Sequence, residues 1–245
     1  MPRRLRLVPK PAGPPVYPFD AAHGVDTGGL IPAAELHSGH ANDRHITAYY
    51  GVAPSILDAL IDKWLDLKPV FPIDRYTFLD IGAGKGRAIL VASLHPFERV
   101  VGVELNPELA NIARQNARIF PETASPLAPV EVIEGDALEI DLPDGPTLAF
   151  LFHPFEAPVL KRLLARIAHH FRDRPGSGHF DLLYVNAEHA DVVEQHAGFT
   201  CLYFGLVPMS AADHLADLAA IATQTEYGST GDEQCAIYRF TGGSR

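Results

Sequence analysis

Cysteine is scarce in this sequence: two residues in 245, alongside two methionines and one tryptophan. Cys201 and Cys235 are too few for a disulfide framework or a four-ligand zinc knuckle. Both sit in apolar, strand-like runs, where cysteine is expected to act as a small buried hydrophobe. Long hydrophobic runs are lacking as well, since no stretch reaches the ~18 apolar residues that suggest a membrane span. The basic start Pro2-Arg3-Arg4-Leu5-Arg6 leads into prolines rather than into the apolar segment of a secretory signal. A cytoplasmic protein with no membrane partner is expected. Positive charge is also in short supply, with 20 Lys and Arg against 30 Asp and Glu, a formal net charge of −10. That balance argues against an extended nucleic-acid-binding face. The short basic runs at Pro2–Arg6 and Lys161-Arg162 read as solvated surface charge.

What is present is enough for a core: 47% hydrophobic and 20% charged residues are ordinary values for a folded domain. Residues 1–40 are rich in Pro, Gly and His and show little periodicity, and residues 1–50 are expected to form an irregular N-terminal arm that helps to cover an active site. Removal of residues 1–45 is expected to spare folding. Residues 51–245 are expected to form one domain, opening with a helix from about Ser55 to Leu67, where Ile56, Leu57, Leu60, Ile61 and Trp64 recur at helical spacing. From residue 76, short apolar strands (Thr77–Ile81, Val100–Glu104, Val130–Ile133, Leu148–Phe152, Leu182–Asn186) alternate with helical stretches (Arg87–Leu94, Pro107–Phe120, Pro158–Phe171, Glu188–His196). This alternation predicts an α/β fold: a mostly parallel sheet with helices on both faces and a ligand crevice at the strand C-termini. Thr200–Val207 and Gln234–Phe240 read as two further strands, with an alanine-rich helix at 211–222 between them.

The chemistry concentrates in Asp80-Ile81-Gly82-Ala83-Gly84-Lys85-Gly86-Arg87, a strand end, a glycine turn and a helix start. Glycines allow positive φ and close approach of a ligand to backbone. The spacing lacks the Gly-Lys-Ser/Thr ending of a phosphate loop, and Arg87 stands where a dinucleotide fingerprint needs Gly or Ala. Asp80, just before the turn, would face a pyrophosphate unfavourably. It suits S-adenosylmethionine, which has no phosphate and carries an ammonium and a sulfonium. Glu104, ending the second strand before Leu105, is placed to accept ribose hydroxyls. Asp136, in Gly135-Asp136-Ala137 after the third strand, is placed to accept from an adenine amino group.

The Asp-x-Gly-x-Gly-x-Gly turn, the acid after strand two and the Gly-Asp-Ala after strand three together resemble the class I S-adenosylmethionine-dependent methyltransferases, over about residues 49–240. The resemblance implies a Rossmann-like seven-stranded sheet with an antiparallel C-terminal strand, and S-adenosylmethionine as cofactor. It places Asp80 and the Gly82, Ala83, Gly84 and Gly86 backbone at the methionine part, Glu104 at the ribose, and Asp136 and Ala137 at the adenine, with Leu105 a further cofactor-binding candidate. More narrowly, Phe19-Asp20 with Gly24-Val25-Asp26-Thr27-Gly28-Gly29 and Gly84-Lys85-Gly86-Arg87 is similar to a bacterial methyltransferase group. At the end of strand four, His153-Pro154-Phe155 resembles a shortened Asn/Asp-Pro-Pro-aromatic segment of amino-methylating members. His153 is thereby a candidate base or positioning group, expected to be extended ahead of Pro154. Pro154, Phe155 and Tyr49 are candidate substrate contacts. A small-molecule or protein acceptor with a nitrogen or oxygen nucleophile is expected. The rivals are a non-catalytic cofactor-binding homologue and a nicotinamide-dependent oxidoreductase. His37, His40 and His45 lack a metalloenzyme spacing, and no metal is expected.

Overall fold

The computed structural model describes residues 17–172, 178–222 and 231–242. The basic run at Pro2–Arg6 and the turn around Gly228 lie outside them. Seven strands form one sheet: β1 (Thr77–Ile81), β2 (Arg99–Glu104), β3 (Val130–Glu134), β4 (Thr147–Phe152), β5 (Phe180–Val185), β6 (Phe199–Pro208) and β7 (Asp232–Phe240). Their spatial order is β3-β2-β1-β4-β5-β7-β6. β1 to β5 are parallel, and β7 runs antiparallel between β5 and β6. This is the doubly wound sheet that the strand–helix alternation predicts. Its order reverses at β1, so a crevice opens beyond the C-termini of β1 and its neighbours.

Period-two alternation sends neighbouring strand residues into two cores. Leu79, Ile81, Val101, Ala149 and Leu151 meet helix α5 (Ala157–Arg172) and helix α6 (Ala190–Glu194) on one side. Phe78, Val100, Leu148, Phe150 and Leu183 meet helix α2 (Pro54–Asp66) and helix α3 (Arg87–Ala92) on the other. α2 starts with Pro54 at its first position, and its apolar stripe Ile56, Leu57, Leu60, Ile61 and Trp64 is fully buried. Helix α4 (Pro107–Ile119) is capped by Asn106, whose side chain accepts from the Glu108 and Leu109 N–H groups. Helix α7 (Ala211–Ile221), between β6 and β7, returns to the start of the domain: Asp213 accepts from the Ser55 N–H, and Asp217 from the Tyr50 hydroxyl.

Two expectations need correction. Cys235 is buried, but Cys201 is exposed on the sheet's edge strand, as are Phe204 and Leu206. Residues 17–50 are also more ordered than an irregular arm. They contain helix α1 (Pro18–His23), two 3-10 turns and single bridges from Ile31 to Tyr49 and from Ile46 to Phe155. Six helical residues are too few to reveal a period in sequence, although Pro18 at the start and Gly24 in the left-handed region at the end are ordinary boundary signals.

This segment is welded to the glycine turn. The buried Arg87 guanidinium donates to the Thr27 hydroxyl (2.8 Å) and carbonyl (2.9 Å), and to the carbonyls of Gly51 (2.9 Å) and Val52 (3.4 Å). It also lies 3.9 Å above the Tyr17 ring. Asp20 fixes the receiving loop by accepting from the N–H groups of Thr27 and Gly28 and from the Thr27 hydroxyl. Lys85 donates to Asp26 and to the Gly28 carbonyl, each at 2.9 Å. Gly51 is needed because a Cβ there would sit 2.8 Å from the Arg87 guanidinium carbon. Removal of residues 1–45 would strip Lys85 of both these partners and Arg87 of Thr27 and the Tyr17 ring, leaving it only the Gly51 and Val52 carbonyls, so the expectation that it spares folding is withdrawn. Arg87→Met keeps the length of the side chain, takes the guanidinium donors from the Gly51 carbonyl and the Thr27 hydroxyl, and leaves the Thr27 carbonyl with the Tyr49 hydroxyl alone. It is expected to cost about 3 kcal/mol and to open residues 17–50 to protease. Cleavage no faster than in the wild type would show that the segment is held by other contacts.

Candidate active site

Beyond the C-termini of β1, β2 and β4 lies a cleft of about 1030 Å³, mouth included. Asp80, Gly82, Ala83, Gly84, Glu104, Leu105, Asp136, Ala137, Tyr49, Pro154 and Phe155 all line it. Gly86 and His153 do not. Gly86 lies behind the turn with φ of +91°, where a Cβ would come within 3.1 Å of Ala113, so its smallness serves helix packing.

Backbone contacts set the turn. The Gly82 and Ala83 N–H groups both donate to the Val103 carbonyl at 2.9 Å, and the Gly84 N–H donates to Glu104 Oε2 at 2.7 Å. These three donors are therefore engaged, whereas a pyrophosphate cradle would need such groups free. Gly84 has a φ of +54°, and a Cβ there would lie 2.2 Å from the Tyr49 ring. Tyr49 is fixed over the turn by its hydroxyl, which donates to the Thr27 carbonyl at 2.7 Å.

The acids differ in how far they are satisfied. Glu104 accepts from Gly84 and, through Oε1, from the Asn106 N–H at 2.8 Å. Burial raises its pKa, and these backbone N–H bonds offset part of the rise. Each of its oxygens keeps acceptor capacity toward the cleft. Asp80 is only 2% exposed, and among the described residues no donor reaches its carboxylate. Burial first, and the neighbouring Glu104 second, hold its pKa well above the usual carboxylate range. Asp136 accepts from the Leu138 N–H and, at 2.6 Å, from the side-chain amide of Asn42. Sequence reading missed Asn42 and Thr47, which line the same cleft, because the contact of Asn42 to Asp136 spans 94 positions with no local signal.

His153 is not the extended residue expected ahead of a proline. Its φ is +43°, and its ring turns away from the cleft. Nδ1 lies 3.3 Å from the Tyr184 hydroxyl, Nε2 lies 3.4 Å from Glu188, and the ring centre is 5.1 Å from that of His189. The physical reason lies next door: Pro154 sits so close to Gly82 that a Cβ there would be 2.4 Å from the proline Cβ. Seating Pro154 on the turn goes with a sharp left-handed bend at His153, a conformation histidine tolerates better than most residues. Burial lowers the His153 pKa, opposed by Glu188. Its carbonyl accepts from the Thr47 hydroxyl, so N-terminal segment and strand end share this corner. His40, Asp136 and Glu139 also gather, with ligand atoms within 4.8 Å of one another, but Asn42 already donates to Asp136. His37 and His45 instead face Asp43 and Glu156.

Residues 78–174 match a family described as "Methyltransferase domain". Among curated proteins, the probable ribosomal RNA small subunit methyltransferase A of Haloarcula marismortui is 29% identical over 68% of this chain and 59% of its own length. The ribosomal protein L11 methyltransferase of Pelobacter propionicus is 26% identical over 81% of this chain and 55% of its own. The chain thus spans little more than half the length of these relatives. A solved RNA methyltransferase of Salinibacter ruber, in complex with S-adenosyl-L-homocysteine, aligns with 80% of this chain and 95% of its own at 18% identity and a TM-score of 0.43. A relative that acts on ribosomal RNA overturns the expectation, drawn from the net charge, that extended nucleic-acid binding is excluded. A charge summed over the whole chain does not describe any one face of it. Among the described residues no helix is long and apolar enough to cross a membrane. Sheet order, glycine turn and family match agree on a methyltransferase domain over residues 78–174.

Proposed function

We propose that the chain transfers a methyl group from S-adenosylmethionine to RNA. The observation that carries the cofactor half is Asp80, a buried carboxylate without a donor, facing a cleft whose glycine turn has its first N–H groups engaged. A cation fits there and a phosphate does not. Asp80 would hold the ammonium, Glu104 the ribose hydroxyls, and Asp136 with Ala137 the adenine, while Tyr49 covers the turn. When bound, the cofactor supplies an already activated methyl group. What remains for the protein is to align the acceptor, exclude water and let a proton leave. The segment 17–50 contributes to exclusion, since Asn42, Thr47 and Tyr49 close one side of the cleft. Pro154 and Phe155 are the strand-end groups placed against the acceptor. His153 acts as a positioning residue that holds the Pro154 bend, because its ring points toward Glu188. The RNA half is supported by the relative that modifies small-subunit ribosomal RNA.

The cofactor assignment is tested by calorimetry, with S-adenosylhomocysteine expected to bind and NADH not. For the acceptor, labelled methyl from S-adenosylmethionine should appear in protein-free ribosomal RNA. Label confined to protein would move the reading to a ribosomal protein acceptor.

Asp80 gives a pH-dependent signature. Its folded pKa lies above the unfolded value, so its contribution to stability is complete below the ordinary carboxylate range and is lost as pH rises through the folded value. Asp80→Asn cannot ionise. It should raise the unfolding midpoint of the cofactor-free protein near pH 8 by about 2–4 °C, the equivalent of roughly 1 kcal/mol, with no gain near pH 4. The same variant should bind S-adenosylhomocysteine at least about tenfold more weakly. Wild-type affinity in Asp80→Asn would remove the ammonium assignment.

A further inference from the structure

Helix α5 stands out from the acidic chain around it. Its 16 residues, Ala157–Arg172, carry Lys161, Arg162, Arg166 and Arg172, with His169 and His170 and no Asp or Glu. The apolar residues Val159, Leu160, Leu163, Leu164, Ile167, Ala168 and Phe171 are all buried against the sheet. At 100° per residue, the exposed positions Lys161, Arg162, Ala165, His169 and Arg172 fall within about 100° of arc. Lys161 and Arg172 are 11 residues apart on that stripe, about 16 Å along the axis. Arg166, at the stripe's edge, is used internally and donates to the carbonyls of Ala137 and Ile140. Among the described residues, no carboxylate pairs with Lys161, Arg162 or Arg172.

The stripe begins at the cleft. Val159, on the first turn of α5, lines it, and Arg162 reaches over to Asn42 at 3.3 Å, the residue that donates to Asp136. Arg44 lies two residues further along the same loop. Among the described residues, the acids at the two ends are off the helix: Glu156 is paired with His45 at 2.9 Å, and Asp144 lies 4.0 Å from His170, while Asp173, next to Arg172 in sequence, lies outside the described residues.

We propose that the outward face of α5, with Lys161, Arg162 and Arg172, docks the phosphate backbone of the RNA acceptor beside the cleft mouth. The proposal rests on the RNA reading above and specifies how the acceptor is held. Charge complementarity selects the partner: a cationic stripe of this length, unpaired among the described residues, meets several phosphates of one RNA segment, and counterion release supplies the affinity. Cations about 16 Å apart, with no carboxylate paired to them among the described residues, also suit a polyanion better than a mixed protein surface, on which like charges would meet them.

The test uses a fluorescein-labelled 20-base-pair RNA duplex and anisotropy between about 50 and 200 mM KCl. Lys161→Gln/Arg162→Gln/Arg172→Gln should bind at least about tenfold more weakly at the lower salt. It should also show a log K against log[salt] slope smaller by about 2–3, the value for three lost phosphate contacts. A control of equal charge change, Arg75→Gln/Arg99→Gln/Arg118→Gln, removes exposed cations elsewhere and should leave the slope unchanged. Unaltered S-adenosylhomocysteine binding in both variants shows that the cleft is intact. RNA binding by the wild type with equal losses in both triples, or with none in the α5 triple, overturns the α5 site while leaving the RNA reading standing. No RNA binding by the wild type, with methyl label entering ribosomal protein instead, overturns both.

Discussion

The buried guanidinium of Arg87 is the contact on which the arrangement of this site depends. It sits at the first position of the helix that follows the glycine turn, and its donors are consumed by backbone carbonyls at Thr27, Gly51 and Val52. A guanidinium offers five donors in a fixed fork, so one side chain joins chain segments 36 and 60 positions away. Because Thr27 is held there, its carbonyl is in place for the Tyr49 hydroxyl, and the Tyr49 ring comes down on Gly84. The N-terminal segment is thereby part of the cofactor cleft wall. Lysine at position 87 would supply a point charge without the fork.

Within that frame, the acids divide the work by how well they are paired. Glu104 is tied to the turn by backbone N–H groups, which stabilise its ionised form against burial. Asp80 has no such support, and its charge becomes favourable only when a cation enters the cleft. Asp136 is partnered by a side chain from outside the domain core, Asn42. An adenine amino group approaching Asp136 would therefore meet the N-terminal segment as well as the sheet, so cofactor seating and the position of that segment are physically linked.

Much of this was legible in the sequence because it is local. Five short apolar strands, an acid at the end of each of the first three, and glycines where the backbone must take positive φ are all set by neighbours a few residues away. The last two strands and the helix between them were also readable, since Phe199–Pro208 and Asp232–Phe240 are bounded by a proline, glycines and polar residues. What sequence reading could not reach was contact at a distance. Phe19-Asp20, Asp26-Thr27-Gly28 and Lys85-Gly86-Arg87 were visible as a recurrent pattern, but nothing local says that one segment binds the other. His153 failed for a related reason. The usual rule for a residue ahead of proline gave the extended form, and it was overridden by Pro154 packing on Gly82, 72 positions away.

Net charge misled for a physical reason too. At about 0.1 M salt, charges further apart than about 10 Å are largely screened. A ligand at one face therefore responds to that face, and the formal −10 of the whole chain is scarcely felt there. The fields around the cleft are in fact of two signs. Inside, Asp80 and Glu104 are buried acids in low dielectric, where a phosphate group would be repelled and a sulfonium or ammonium welcomed. Outside, α5 presents Lys161, Arg162 and Arg172 to solvent, with no carboxylate paired to them among the described residues. Opposite signs at adjoining positions would sort two ligands that differ in charge: the interior would favour a phosphate-free cation, and under the proposed docking the rim would hold a polyanion, its backbone kept out of the acidic pocket while a single base reaches in.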